Sequence, residues 1–147
     1  MVHIDDVTPK DIPTLLTMIK ALCAFHGDTC AMGLAEAQAR FINGPLIGLI
    51  AREGAQAIGY AVIEPHWRPM YAGDLWDIAH LYVTEPMRGR GVGRALINAA
   101  STKAVASKAH KLVIGTAPDN PSAAAAYRAM GFSEVTQMPG ARFEIPL

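Results

Sequence analysis

The sequence predicts a mixed α/β fold in a single domain spanning residues 1–147. Apolar runs of strand length alternate along the chain with stripes of helical period, as is typical of α/β proteins. A chain of 147 residues buries about 70% of the surface that its unfolded form exposes. Gly, Pro or charge interrupts every apolar run before the roughly 20 residues that a membrane span needs. We therefore expect a sizeable core and no membrane association.

The N-terminal third is predicted to hold one strand and two helices. Residues Ile4 to Val7 form the expected strand, and apolar residues at helical spacing follow it as far as Gly27. This apolar stripe comprises Ile12, Leu15, Leu16, Ile19 and Leu22. A second helix is predicted from Leu34 to Ile42, because Asn43-Gly44-Pro45 stops it.

The middle of the chain is predicted to form a hairpin, a loop and a central strand. Runs 46–52 and 57–64 flank a turn and predict the hairpin. The turn-rich stretch 65–74 is expected to be a loop, and 75–83 to be a central strand ended by Glu85-Pro86.

The remaining segments predict a helix, a strand, a helix and two closing strands. An alanine-rich helix begins at Val92, and the run 111–116 is typical of a buried strand. Asn120-Pro121 opens a further helix, which Gly131 closes. Two short strands are expected after it.

Charge and cysteine content narrow the class of protein. Thirteen Lys and Arg balance thirteen Asp and Glu, so no overall field recruits nucleic acid. Cys23 and Cys30 lack metal-ligand spacing, and we expect reduced thiols and no metal. The N-terminus lacks the basic start and apolar run of a signal peptide, which predicts a cytoplasmic protein.

A glycine- and arginine-rich turn, residues 88–94, lies between a predicted strand and a predicted helix. Helix N-termini present free N–H groups, and glycines let a phosphate approach the backbone. Gly93-Arg94-Ala95 lacks the Lys-Ser/Thr of a nucleotide P-loop. Arg94 also replaces the last Gly/Ala of a dinucleotide fingerprint, and no acidic residue follows about 20 positions later. The turn therefore predicts another phosphorylated ligand, against the alternative of a purely structural tight turn.

The sequence Arg88-Gly89-Arg90-Gly91-Val92-Gly93 matches the Gln/Arg-x-x-Gly-x-Gly/Ala motif of the GNAT superfamily of N-acetyltransferases, and the chain resembles that family over about residues 75–132. The resemblance implies a mostly antiparallel twisted sheet of six to seven strands, splayed between the fourth and fifth, with about four helices. It also implies acetyl-CoA as co-substrate and a homodimer as a possible assembly.

The resemblance assigns the cofactor contacts residue by residue. Strand residues would pair with the pantetheine amides, and backbone amides of the turn would hold the pyrophosphate. The expected cofactor-binding residues are Leu81, Tyr82, Val83, Arg88, Gly89, Arg90, Gly91, Val92, Gly93, Arg94, Thr116, Asn120, Ser122 and Tyr127. By the same resemblance, Tyr127 donates a proton or hydrogen bond to the departing thiolate. The alternatives are a packed aromatic at Tyr127 and a purely capping Asn120.

The proton acceptor is left open by the sequence. An alkyl ammonium with a pKa near 10.4 must lose a proton before it attacks. Several small-amine members of the family carry an acidic residue where this chain has Ala79. Asp77 and His80 are the remaining candidates, directly or through a water. Regular alternation would place His80 on the opposite face from Asp77, although a bulge would change that.

The acceptor is expected to be a small primary amine. By analogy with the family, its site would lie between residues 25–28 and the loop 67–76. Expected contacts are the acidic Asp28, Glu64, Asp74 and Asp77 and the aromatic Trp67, Tyr71 and Trp76. The alternatives are a peptide or protein amine, a hydroxyl acceptor, a longer acyl chain, and a non-catalytic acyl-CoA-binding module.

Overall fold

The computed structural model describes residues 1–116, 120–135 and 141–147. The chain forms two compact units, Met1–Gly115 and Thr116–Leu147. The first unit holds, in chain order, β1 (Val2–Asp6), α1 (Ile12–Phe25), α2 (Leu34–Phe41), β2 (Ile47–Glu53), β3 (Gln56–Arg68), β4 (Gly73–Val83), α3 (Val92–Ala106) and β5 (Lys111–Ile114). The second unit contributes α4 (Pro121–Ala129). Among the described residues, no helix has the length and apolar character needed to cross a membrane.

The strands form one mixed sheet in the order β1-β2-β3-β4-β5. The first three pairings are antiparallel, and β4 pairs with β5 in parallel. This sheet and the four helices confirm the predicted fold class. The described residues hold five strands, fewer than the six to seven implied. Residues 132–135 and 141–147 contain no strand, and the rest of the segment predicted to carry the closing strands lies outside the described residues.

The loop predicted over residues 65–74 is wrong. β3 continues to Arg68, β4 starts at Gly73, and only the short turn Pro69–Tyr71 separates them. The prediction failed at Pro65, because proline usually interrupts the hydrogen-bond ladder of a sheet. Here β2 pairs with β3 no further than Ile63. Among the described residues, no strand therefore pairs with this edge of β3 at Pro65, where a missing N–H is tolerated.

The sheet has two covered faces. Tyr60 and Val62 of β3 pack in one apolar cluster with α1 and α2, whose members include Ile12, Leu15, Ile19 and Phe41. The opposite face meets α3, since a Cβ added to Gly59 would lie 3.5 Å from Leu96 Cδ1. Neighbouring β3 residues therefore point alternately toward α1 and α2 or toward α3.

The second unit is organised around α4, whose ends follow the predicted signals. Asn120 Oδ1 accepts a hydrogen bond from Ala123 N at 3.2 Å, which caps the N-terminus. At the other end Gly131 has φ +98°. Phe132 N donates to Tyr127 O and Gly131 N donates to Arg128 O, both at 3.0 Å. This pair of bonds is the Schellman ending that a left-handed glycine allows.

Candidate active site

The glycine- and arginine-rich turn leads directly into α3. Gly89 and Gly91 adopt left-handed backbone angles of φ +76° and +81°, a region that non-glycine residues enter at a cost of roughly 1–2 kcal/mol. The first hydrogen bond of the helix runs from Ala95 N to Gly91 O. The preceding N–H groups of residues 92–94 are therefore free of helical partners. A Cβ at either glycine would meet nothing within 4 Å, so conformation and not packing requires glycine.

The three arginines of this turn have different environments. Arg88 Nε donates a hydrogen bond to Val83 O at 2.9 Å, and its guanidinium lies 5.8 Å from the centre of the Phe25 ring. Arg88 therefore connects the turn to the end of β4 and to the end of α1. Arg90 and Arg94 are exposed, and within the described residues neither forms an ion pair. Their charges are available to an anion.

The second half of β4 has one open edge. β5 pairs only with Leu75–Ile78, whereas β4 continues to Val83. Along Ala79–Val83, the edge facing away from β3 consequently has no strand partner among the described residues. Such an edge can accept an extended chain of amides. This early end of the β4–β5 pairing is the splay that the sequence resemblance implied.

A β-bulge at Ala79 decides which way the candidate bases point. Ile78 pairs with Ile63 and His80 pairs with Val62, which leaves Ala79 without a partner on β3. Because paired residues share a face, His80 lies on the face of Val62, and Asp77, opposite Glu64, lies on that same face. The bulge thus overturns the opposite facing that regular alternation predicts.

The sequence carries a signal for this bulge. Apolar residues recur at Trp76 and Ile78, and then at Leu81 and Val83. The spacing between Ile78 and Leu81 is three instead of two, as expected when one extra residue is inserted into a half-buried strand. Leu81 accordingly returns to the α3 face, where a Cβ at Gly93 would lie 3.9 Å from its Cδ2.

Three ionisable side chains cluster on the same face as His80. Glu64 and Asp77 are directly opposed across β3 and β4, and His66 Nε2 lies 3.5 Å from Glu64 Oε2. Burial, together with the neighbouring Glu64 carboxylate, raises the pKa of Asp77. His66 was not a predicted site residue, because the wrong loop prediction removed it from strand alternation with Glu64.

His80 has one aromatic partner beneath it. Its Nδ1 atom lies 3.5 Å from the hydroxyl of Tyr60, a fully buried side chain. Burial raises the pKa of Tyr60, so that this phenol stays protonated. The Tyr60 hydroxyl thus faces the Nδ1 atom of the His80 imidazole. The second ring nitrogen, Nε2, does not face this hydroxyl.

The structure separates the residues expected to surround the acceptor. Trp76 is only 4% exposed and faces away from Asp77, so its predicted acceptor contact is wrong. Tyr71 stacks on His110 with ring centres 3.8 Å apart, close to where β5 begins. Trp67 is exposed at the end of the β3–β4 hairpin, and Asp28 is exposed after α1.

Four predicted site residues lie in the second unit. Ser122 Oγ donates a hydrogen bond to Asn120 Oδ1 at 3.0 Å, so both side chains serve the start of α4. Tyr127 lies on this helix with its ring centre 6.1 Å from that of Phe132, and burial raises the pKa of its phenol. Thr116 precedes α4. Their predicted cofactor contacts stay predictions.

Comparisons with known proteins show the family and the fold to which this chain is similar. The sequence model described as Acetyltransferase (GNAT) family matches residues 17–132. An L-methionine sulfoximine/L-methionine sulfone acetyltransferase of Pseudomonas aeruginosa is 30% identical to this chain, over 92% of this chain and 83% of that protein.

Solved structures share the fold at low identity. An aminoglycoside acetyltransferase from an uncultured soil metagenomic sample, in complex with sisomicin, has a TM-score of 0.84 at 14% identity and covers 99% of this chain and 97% of its own. The structure of AAC(6')-Iy in complex with the bisubstrate analogue CoA-S-monomethyl-acetylneamine has a TM-score of 0.83 at 20% identity, and the match covers 99% of both chains.

The fold and these relatives define the class of protein as an N-acetyltransferase. More particularly, the chain belongs to the acetyltransferase (GNAT) family.

Proposed function

We propose that this enzyme transfers an acetyl group from acetyl-CoA to the primary amine of a small molecule, by direct attack in a ternary complex. The observation that carries this proposal is the bulge at Ala79, which gathers His80, Asp77 and Glu64 on one face beside the open edge of β4. The Pseudomonas relative acts on derivatives of methionine, which supports a small acceptor. We treat both units as one domain, because the family match includes parts of each.

The cofactor site is proposed to consist of the turn and the β4 edge. The N–H groups of residues 92–94 and the positive end of α3 would hold the pyrophosphate, with Arg90 and Arg94 adding charge. The backbone of Leu81 and Tyr82 would bind the pantetheine amides. The carbonyl of Val83 already accepts a hydrogen bond from Arg88. When bound, acetyl-CoA supplies the activated acetyl group as a thioester.

His80 is the proposed proton acceptor. Imidazole is the side chain whose charge changes between about pH 5 and 8, which suits a base acting near neutrality. His80 is half-buried, and its Nδ1 faces Tyr60, which leaves Nε2 to accept a proton from the amine, directly or through a water. This assignment supplies the base that Ala79 cannot.

The opposed carboxylates of Glu64 and Asp77 are proposed to attract the acceptor as an ammonium ion. Two carboxylates on one half-buried face lower the electrostatic potential there, and a cation is the ligand that relieves their repulsion. The neighbouring His80 then receives the proton that the ammonium must lose before the nitrogen attacks.

The test is release of coenzyme A thiol from acetyl-CoA with a panel of amino-acid amines, aminoglycosides and peptide N-termini. We expect turnover with at least one small amine, and a fall in kcat/KM of about 10²–10⁴-fold in His80→Gln, the usual worth of a general base. His3→Gln, an exposed histidine on β1, is the matched control. Turnover of peptides alone would contradict the acceptor class, and full activity of His80→Gln would contradict the base.

A further inference from the structure

The side chains of Glu64, His66 and Asp77 form a compact set of donor atoms. One ligand atom from each of the three residues lies within 4.8 Å of the other two. Glu64 and His66 are two positions apart on β3, and Asp77 is paired with Glu64 on β4. The sheet backbone therefore fixes all three side chains on one face, without help from a flexible loop.

One pair of these atoms already has the separation expected for two ligands of a single metal ion, and the third lies within 4.8 Å of both. Two donors at about 2.1 Å from a tetrahedral zinc ion lie roughly 3.4 Å apart. His66 Nε2 and Glu64 Oε2 are separated by 3.5 Å. Their side chains are 37% and 41% exposed, so an ion from solvent can reach them and water can complete its coordination.

The chemistry of the set favours a transition metal over magnesium or calcium. Imidazole nitrogen with two carboxylates is a ligand combination found for zinc, iron and manganese, whereas magnesium and calcium prefer oxygen ligands only. The repulsion between Glu64 and Asp77, which His66 offsets only in part, adds to the attraction of a divalent ion. The like charge of Glu64 already contributes to the raised pKa of Asp77.

We propose that Glu64, His66 and Asp77 form a binding site for one divalent transition-metal ion of the zinc type. The site differs from the expectation of no metal, which considered only cysteine spacing. The metal ion and the ammonium form of the acceptor would compete for the carboxylates of Glu64 and Asp77, so only one of them occupies the site at a time. Metal binding does not depend on the proposed acetyl transfer, because the three ligands come from the chain alone.

The experiment is calorimetric titration with ZnCl₂, then with MgCl₂, of the full chain without acetyl-CoA or amine. All proteins carry Cys23→Ser and Cys30→Ser, because the neighbouring thiols would otherwise bind zinc. We expect one equivalent of zinc to bind and magnesium to bind far more weakly. His66→Gln and Asp77→Asn should each weaken zinc binding by at least about 100-fold, more than loss of an outer partner costs.

His3→Gln again serves as the control and should bind zinc like the parent protein. Thermal unfolding of every variant without metal checks that the fold is kept, and zinc should raise the Tm of the parent and control only. The proposal is overturned if the parent takes up no zinc, or if His66→Gln and Asp77→Asn bind it as tightly as the parent. Zinc binding with no acetyltransferase activity would leave the site established and contradict only the proposed function.

Discussion

The carboxylate of Asp11, buried at the start of α1, accepts hydrogen bonds from the guanidinium of Arg52 and from the backbone and hydroxyl of Thr8. This contact ties α1 to β2. Burial by itself would raise the pKa of Asp11, but the hydrogen bonds from Thr8 and Arg52 outweigh burial and lower it. Of the ion pairs in the part of the chain that the structure describes, Asp11–Arg52 is the most buried and the strongest candidate for an electrostatic contribution to stability.

Replacing Asp11 with Asn should lower the free energy of unfolding by about 2 kcal/mol, since it removes a charge-assisted hydrogen bond and leaves the half-buried Arg52 with only the exposed Asp5, 3.4 Å away. Asp6→Asn is the matched control: Asp6 pairs with Lys103 at 3.0 Å, but its side chain is 66% exposed. Its loss should cost less than about 1 kcal/mol. Urea unfolding at pH 7 measures both, and equal losses would contradict the assignment.

The same carboxylate predicts a pH dependence. Because the pKa of Asp11 is lowered by folding, its contribution is complete above the ordinary Asp pKa of about 3.9 and is lost as pH falls through the folded-state value. The unfolding free energies of the parent and Asp11→Asn should converge in acid. A constant difference down to about pH 2 would show that Asp11 acts through packing instead.

Charge reversal at the turn should weaken cofactor binding. Arg90→Glu is expected to reduce the affinity for coenzyme A by about 10- to 100-fold, since a charge-assisted hydrogen bond contributes about 1.5–3 kcal/mol. Arg88→Glu should weaken binding too, but it should also lower the Tm because it removes the hydrogen bond from Arg88 to the carbonyl of Val83. Lys20→Glu, the same charge change on exposed α1, is the control. Intact affinity of Arg90→Glu in calorimetry would exclude a phosphate site here.

Gly91 should not tolerate a side chain. Its φ of +81° makes Gly91→Ala costly by roughly 1–2 kcal/mol, and relief of that strain would reorient the N–H groups at the start of α3. We expect a lower Tm and weaker coenzyme A binding. Gly33→Ala is the control, because Gly33 has a φ of −98° at the start of α2 and open space around it. Similar losses in both variants would argue against a conformational role.

Tyr127→Phe tests the proposed proton donor. Burial raises the pKa of this phenol, which favours a hydrogen bond to the departing thiolate over full transfer of the proton. Turnover should fall by about 10²-fold, while the affinity for coenzyme A changes little. Unchanged turnover would reject the role and leave Tyr127 as a packed aromatic.

Local signals predicted most of the fold. The helix ends at Asn120 and Gly131 and the left-handed glycines of the turn depend on single residues and their immediate neighbours. Pro65 shows where such signals fail. A proline ends a strand only where a neighbouring strand would accept a hydrogen bond from the N–H that proline lacks. At Pro65 this depends on how far β2 extends along β3. Local sequence carries no such information.

The candidate site was predicted only in part for the same reason. His80 and Asp77 were named from the sequence, but their common face depends on the pairing of β3 with β4. His66 was missed because the strand that carries it was predicted to be a loop. Trp76 was predicted to contact the acceptor because of its residue type alone. Its position on the strand instead places its side chain in the core.

The unpaired residue at Ala79 lies directly after Ile78, the last residue of β4 that pairs with β5. A chain lacking Ala79 would keep Ile78 and His80 on their present faces, because the shorter strand would simply alternate. What it would lose is the bend and added twist that a bulge supplies, and β5 could then follow β4 further. We therefore expect the separation of these two strands to depend on the length of β4 more than on the identity of the side chain at Ala79. In comparisons among relatives, a one-residue gap at this position should be more informative than any substitution there.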